Sequence, residues 1–282
     1  MNKFYIQIVL FLLSIFTYVN NKTLATESVP GEDTTPESKK YHLTSEEIQE
    51  KKEDILCTNP KETEEAIELM KEAVKQLKHH ATDKHGYKLC AAIEHPDASL
   101  YKKELENHTP VEKIEYSVHG SYKYAQIVKE ILDLKHPNPF NNGDVKIARV
   151  YNPNLVIIQQ RYKKKTGSPQ KYFYALATKA QISKNTTIIA YTSADINDHN
   201  PSGKKYENKI IEKANSFKTD INSEEDIRQG KLQKTFVNLA GYLIQKRSCC
   251  VDVTYIESID GHSSIKHNCF WGLFCNGYYL NE

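Results

Sequence analysis

Cys57, Cys90, Cys249, Cys250, Cys269 and Cys275 are the most reactive side chains this sequence offers. None lies in a C-x-x-C pair, so neither a tetrahedral zinc site nor a thioredoxin-type dithiol is indicated. An even count permits pairing in an oxidising compartment. Cys57–Cys90 is a candidate disulfide, joining a helix start to the first strand; buried free thiols are the other reading. His79-His80 are adjacent on a helical pattern and do not face one another, which suits solvation better than metal binding. Ser258, Asp260 and His262 lie close together, but no G-x-S-x-G, H-E-x-x-H or phosphate loop accompanies them. No catalytic residue, metal ligand or cofactor is therefore assigned, and an enzyme is not expected. Asn107-His108-Thr109 and Asn185-Thr186-Thr187 are glycosylation sequons at expected turns, the first weakened by Pro110.

Whatever these residues do, a folded secretory domain must hold them. Lys and Arg number 38 against 36 Asp and Glu, a net charge of +2, with 39% hydrophobic residues in 282. A polytopic membrane protein would need repeated apolar runs of ~20 residues, and a disordered polyelectrolyte would carry unbalanced charge. The lysines are spread rather than gathered into one patch, so no nucleic-acid partner is expected. Met1 to Lys3 followed by an apolar run to Val19 and then Thr23-Leu24-Ala25 reads as a signal peptide over 1–25. Residues 26–43 are a polar, proline-bearing linker. Lys22-Thr23-Leu24-Ala25-Thr26-Glu27 approaches a basic-x-Leu-x-acidic export signal, with lysine for arginine and the acid one place late.

Thr44-Ser45-Glu46-Glu47 is a capping box opening a short helix to about Leu56. Asn59-Pro60 starts a second, in which Ala66, Ile67, Met70, Ala73, Val74 and Leu77 form one apolar face over 60–80. Short alternating runs at 87–94, 100–107 and 113–119 read as three strands, and 121–134 as a helix stopped by His136-Pro137-Asn138-Pro139. Six further strands follow at 145–151, 155–162, 171–182, 187–196, 234–245 and 251–259, rich in β-branched residues and tyrosine. The charged segment between the fourth and fifth of these carries a helical stretch at 206–217. Strands joined by tight turns imply an antiparallel sheet and an α+β class, curved enough to wrap a helix or a cavity.

The phrases VKIARVYNPNLVIIQQRY, QKYFYALATKAQISKNTTIIAYTSADINDHNPS, KTFVNLAGYLIQK and VTYIESIDGHSSI, spread over 145–265, closely resemble the Fam-a (PYST-A) proteins of rodent malaria parasites. MNKFYIQIVLFLLSIF and YHLTSEEI match that family too. The resemblance implies a START-related (Bet v1-like) helix-grip fold over 44–265, in which a curved antiparallel sheet grips a C-terminal helix over an apolar cavity. It implies binding and transfer of a glycerophospholipid, with phosphatidylcholine foremost. It also implies a monomer with transient membrane contact, secreted towards the parasitophorous vacuole or host erythrocyte.

A diacyl phospholipid exposes roughly 30 methylenes, each worth ~0.8 kcal/mol on burial, so extraction demands an enclosed apolar surface with a few polar groups for the headgroup. In 155–162 alternation places Val156, Ile158, Gln160 and Tyr162 on one face, and in 171–182 it groups Tyr172, Tyr174, Leu176 and Thr178. Ile158, Gln160, Tyr162, Tyr174 and Leu176 are taken as cavity residues, with Tyr191 and Tyr242 beside them. Arg149 is the candidate headgroup donor. Residues 266–282 form an atypical tail: His267 to Tyr279 has two glycines and no amphipathic pattern, so the family's lid helix is missing or altered. A lidless scaffold acting as a secreted host-interaction protein is the alternative.

Overall fold

A computed structural model describes residues 55–93, 98–106, 108–133, 143–203 and 206–261. The signal peptide, linker, capping-box helix, first sequon asparagine, proline stop at 136–139, His262 and the whole C-terminal tail with Cys269 and Cys275 fall outside them.

Helix α1 spans Pro60–Thr82, and Asn59 caps it, its Oδ1 accepting from Lys61 N at 3.0 Å and Glu62 N at 3.3 Å. Its buried residues Ala66, Leu69, Met70, Ala73, Leu77, His80 and Ala81 make a single stripe. Strands β1 (Lys88–Ile93), β2 (Ala98–Glu104) and β3 (Pro110–His119) follow, then a 3-10 turn at Ser121–Lys123 and helix α2 (Tyr124–Leu132). Next come β4 (Gly143–Asn152), β5 (Leu155–Tyr162), β6 (Lys171–Ser183), β7 (Thr186–Thr192), β8 (Asp195–Asn197) and β9 (Lys218–Asp220). The one-turn helix α3 (Glu225–Arg228) leads to β10 (Gln233–Lys234), β11 (Phe236–Lys246) and β12 (Cys250–Asp260).

The main strands build one curved antiparallel sheet in the order β1-β2-β3-β12-β11-β7-β6-β5-β4, with β10 added in parallel to β6. The class is α+β with a START-like helix-grip sheet, as expected. Cross-strand partners share a face, so the registers divide the sheet cleanly. One face carries Ile157, Leu176, Leu239, Leu243 and Ile256, on which the α1 stripe packs. The 193–235 connection covers the same face with Ile211, Ala214, Phe217, Ile221 and Ile227.

Two expectations about that connection are corrected. The strand expected over 187–196 stops at Thr192, because Ser193 leaves the ladder: its N donates to Val237 O and its Oγ to Tyr174 O. The helix expected over 206–217 is irregular apart from a 3-10 turn at Glu212–Asn215. Asn208 N donates to Asn215 Oδ1 at 2.6 Å and Asn215 Nδ2 returns to Asn208 O, while Asn208 Oδ1 accepts from Ile210 N and Ile211 N. These side-chain bonds offer the backbone an alternative to the helical ladder.

Helix α1 reaches the sheet at Gly241, whose φ is +142°. A Cβ there would overlap Ile189 O and stand 2.9 Å from Leu77 Cδ1. Gly241→Ala is therefore expected to cost at least about 2 kcal/mol, read as a lowered urea midpoint at unchanged slope.

At the far end of α1, His79 is exposed, whereas His80 is buried, against the expectation that both are solvated. His80 Nδ1 lies 3.1 Å from Tyr87 Oη. Burial, with His79, Lys103 and Lys113 nearby, pushes its pKa down to about 4, Asp83 opposing. Between the unfolded value near 6.5 and about 4 the unfolded chain holds more protons, so stability rises with pH across that window. Acidifying from pH 7 to pH 4 is expected to lose up to about 3 kcal/mol through this group. A chemical-denaturation series at stepped pH should show a shallower fall for His80→Leu.

Candidate functional site

The sheet's other face bears two apolar clusters. One, containing Ile114, Val118, Ile189, Ile244, Val251 and Val253, is packed by Ile127 and Val128 of α2. The other, among the described residues, is formed by strands: Ile158, Phe173, Ala175, Ala177, Val237, Ala240 and Ile259 are buried, with Val145, Val156, Tyr162 and Tyr191 packed against them. Register explains why they converge, since Ile158 pairs with Ala175, Gln160 with Phe173, and Tyr191 with both Ala177 and Ala240.

Polar groups are built into this face beside the apolar cluster. Gln160 is 4% exposed, and the Tyr162 ring meets Phe173 edge to face at 5.8 Å. On β12, Val251, Val253, Tyr255, Glu257 and Ile259 share a face, so Glu257 stands in an otherwise apolar row and is buried. Its neighbour Tyr255 donates Oη to Glu257 Oε2 at 2.6 Å and lies 4.8 Å from the Tyr242 ring. Glu112, also buried, registers with Glu257 across β3 and β12. Burial, with Glu257 close by, raises the Tyr162 and Tyr255 phenols well above their ordinary value, and burial alone raises Tyr191. At neutral pH these tyrosines are therefore uncharged hydroxyls, able to donate into a largely apolar setting.

Of the residues the sequence singled out, Ile158, Gln160, Tyr162, Tyr191 and Tyr242 come together on this face. Tyr174 and Leu176 do not. Leu176 registers with Ile157 and Tyr174 with Gln159, on the side covered by α1. The Tyr174 hydroxyl accepts from Gln159 Nε2, and burial pushes its pKa up to about 12. Both parities of β6 are apolar, so alternation could not choose between them. Glu257, Glu112 and Tyr255 were missed, although a lone carboxylate among Val251, Val253 and Ile259 was the available signal.

Arg149 is not a headgroup donor on this face. It points to the α1 side, where Nη1 donates to Glu62 Oε1 at 2.8 Å and to Thr219 Oγ1, and Nη2 to Asp220 O at 2.8 Å. Tyr151 Oη and Thr219 Oγ1 donate to the same Glu62 oxygen at 2.7 Å each. Burial alone would raise the Glu62 carboxyl, but hydrogen bonds from Thr219, Tyr151 and Arg149 outweigh it and hold the carboxyl below its usual range. The expected Cys57–Cys90 disulfide is absent: both are free thiols, packed against different apolar clusters on opposite sheet faces. Asp260 accepts from Asn238 Nδ2 at 3.0 Å, which places it in a structural contact within the β11–β12 hairpin. Among the described residues no group of three or more His, Cys, Asp or Glu is arranged to hold a metal ion. No helix among them is long and apolar enough to cross a membrane.

No protein-family model matches the chain. No curated protein matches it by sequence. Among solved structures, the human StAR-related lipid transfer protein 5 is similar in fold, with 12% identity over 72% of this chain and 85% of that one, at a TM-score of 0.50. Human STARD10 gives 13% identity over 73% of each chain at a TM-score of 0.47. At such identities the likeness concerns the fold.

Arg149→Met leaves Glu62 without its cation in a half-buried site and is expected to cost about 3 kcal/mol. In a Glu62→Gln background the same replacement should cost less than half as much, since the two groups act on each other. Equal costs in both backgrounds, by urea titration, would show that the pair is uncoupled.

Proposed function

We propose that the chain binds one diacyl glycerophospholipid on the face bearing Ile158, Gln160 and Tyr162 and carries it between membranes without chemical turnover. The observation that carries this reading is the composition of that face: a cluster formed, among the described residues, by strand side chains and bordered by Gln160, Glu257 and neutral tyrosine hydroxyls. Acyl chains need the first and a polar headgroup the second. Likeness of fold to a protein named as a lipid transfer protein supports it. Phosphatidylcholine is the leading lipid, on the strength of the Fam-a resemblance at 145–265. The same resemblance and the apolar leader support a secreted monomer acting at the parasitophorous vacuole or host erythrocyte, touching membranes transiently and not nucleic acid. A second reading, a host-interaction scaffold without transfer, is favoured by the non-amphipathic sequence of 266–282.

Native mass spectrometry of the purified full chain should find one co-purifying phospholipid. Ile158→Trp with Ala175→Trp fills the registered pair at the centre of the cluster. That variant should keep its far-ultraviolet dichroism and lose lipid loading at least tenfold. Wild-type protein that carries no lipid and moves no labelled phosphatidylcholine between vesicles would leave the scaffold reading in its place.

A further inference from the structure

Cys249 and Cys250 are consecutive residues at the turn from β11 into β12. The turn is tight: Lys246 registers with Val251, and Arg247 N donates to Cys250 O at 2.8 Å. Cys249 lies just before β12 and Cys250 is its first residue, so the two thiols sit on consecutive residues at the strand's end. Cys249 is exposed and Cys250 half-buried. Their backbone is pinned, with Cys249 O accepting from Gly120 N at 2.9 Å. Cys250 Sγ lies 3.7 Å from Asp252 Oδ1, and Asp252 is paired with Arg247 at 2.7 Å. Cys57 and Cys90, packed against separate clusters, have no such arrangement with each other.

We propose that Cys249 and Cys250 are a redox modification site, a vicinal dithiol that closes reversibly to a small disulfide ring by exchange with a disulfide oxidant. This site is independent of the lipid-binding reading. Cys249, as thiolate, attacks one sulfur of the oxidant, forming a mixed disulfide and expelling one thiolate. Cys250 then attacks Cys249 Sγ, closing the ring and expelling the second. Two protons leave the protein and two electrons pass to the oxidant, which ends as two thiols. Burial raises the Cys250 thiol, with the Cys249 thiol and Asp252 beside it adding to the effect, so the exposed Cys249 attacks first. Neighbouring Cα atoms are ~3.8 Å apart, closer than the ~4.4–6.8 Å usual for disulfides. The ring is therefore strained and reopens more readily than a long-range disulfide. It forms at the end of the hairpin that carries Tyr242, Tyr255 and Glu257.

Trypsin cleavage after Arg247 and Lys266 places both cysteines, and no others, in the peptide 248–266. The full chain is equilibrated with oxidised glutathione, blocked with iodoacetamide and digested without reduction. The peptide should then be lighter by two hydrogens and carry no alkyl group. Mild reduction before blocking should give two alkyl groups. Cys249→Ser and Cys250→Ser should each abolish the mass loss. The reduced wild type should bind phenylarsine oxide at least tenfold more tightly than either variant. A doubly alkylated peptide after oxidation would overturn the proposal. So would its cross-link to a peptide carrying Cys57, Cys90, Cys269 or Cys275, or unchanged arsenical binding in the serine variants.

Discussion

The close seating of α1 on β11 is the contact on which the rest of the molecule depends. Leu77 lies over Gly241, at the one point of that strand where a missing side chain lets helix and sheet approach. Each leucine or methionine of the stripe gains roughly 1.5–3 kcal/mol from burial. Leu69, Met70 and Leu77 gain it only because the helix axis comes so near the sheet. With α1 and the 193–235 connection occupying one face, the sheet's alternation directs every other strand residue to the opposite side. The face bearing Ile158 and Phe173 is thus defined by what the helix has already taken.

Polar groups inside such a structure cost free energy unless they are paired, and the two faces answer this differently. On the helix side they tie elements together: Glu62, Arg149, Tyr151 and Thr219 link the first turn of α1 to β4 and β9, and Asp198 accepts from Tyr172 and from Lys234. These contacts join segments far apart in sequence and fix the long connection against the sheet. On the opposite side Tyr255 and Glu257 are two residues apart on one strand, so their hydrogen bond holds no elements together.

Much of this was legible in the sequence. Asn59-Pro60 marked the start of α1, and the spacing of Ala66, Met70, Ala73 and Leu77 marked its buried face, because helix caps and a 3.6-residue period are local signals. Strands β5, β6, β11 and β12 were visible for the same reason. What alternation could not supply was orientation. Phe173, Ala175 and Ala177 are as apolar as Tyr172, Tyr174 and Leu176, so β6 reads equally well either way until its neighbours fix the register. Asn208 and Asn215 defeated the helical reading of 206–217 through side-chain bonds that no periodicity reveals. Arg149 looked like a free cation because its partner Glu62 lies 87 residues away.

Glu112 and Glu257 are the buried acids on the Ile158 face that the sequence did not single out. A surface meant only for hydrocarbon would need neither Glu112 nor Glu257, and a carboxylate is among the costliest groups to bury. Within the described strands these acids share their face with neutral tyrosines. Lys102 registers directly with Glu112, while Arg149 and Arg161 point to the α1 side, where Glu62 and Asp226 engage them. The cost of burying Glu257 is offset in part by the Tyr255 hydroxyl that donates to it.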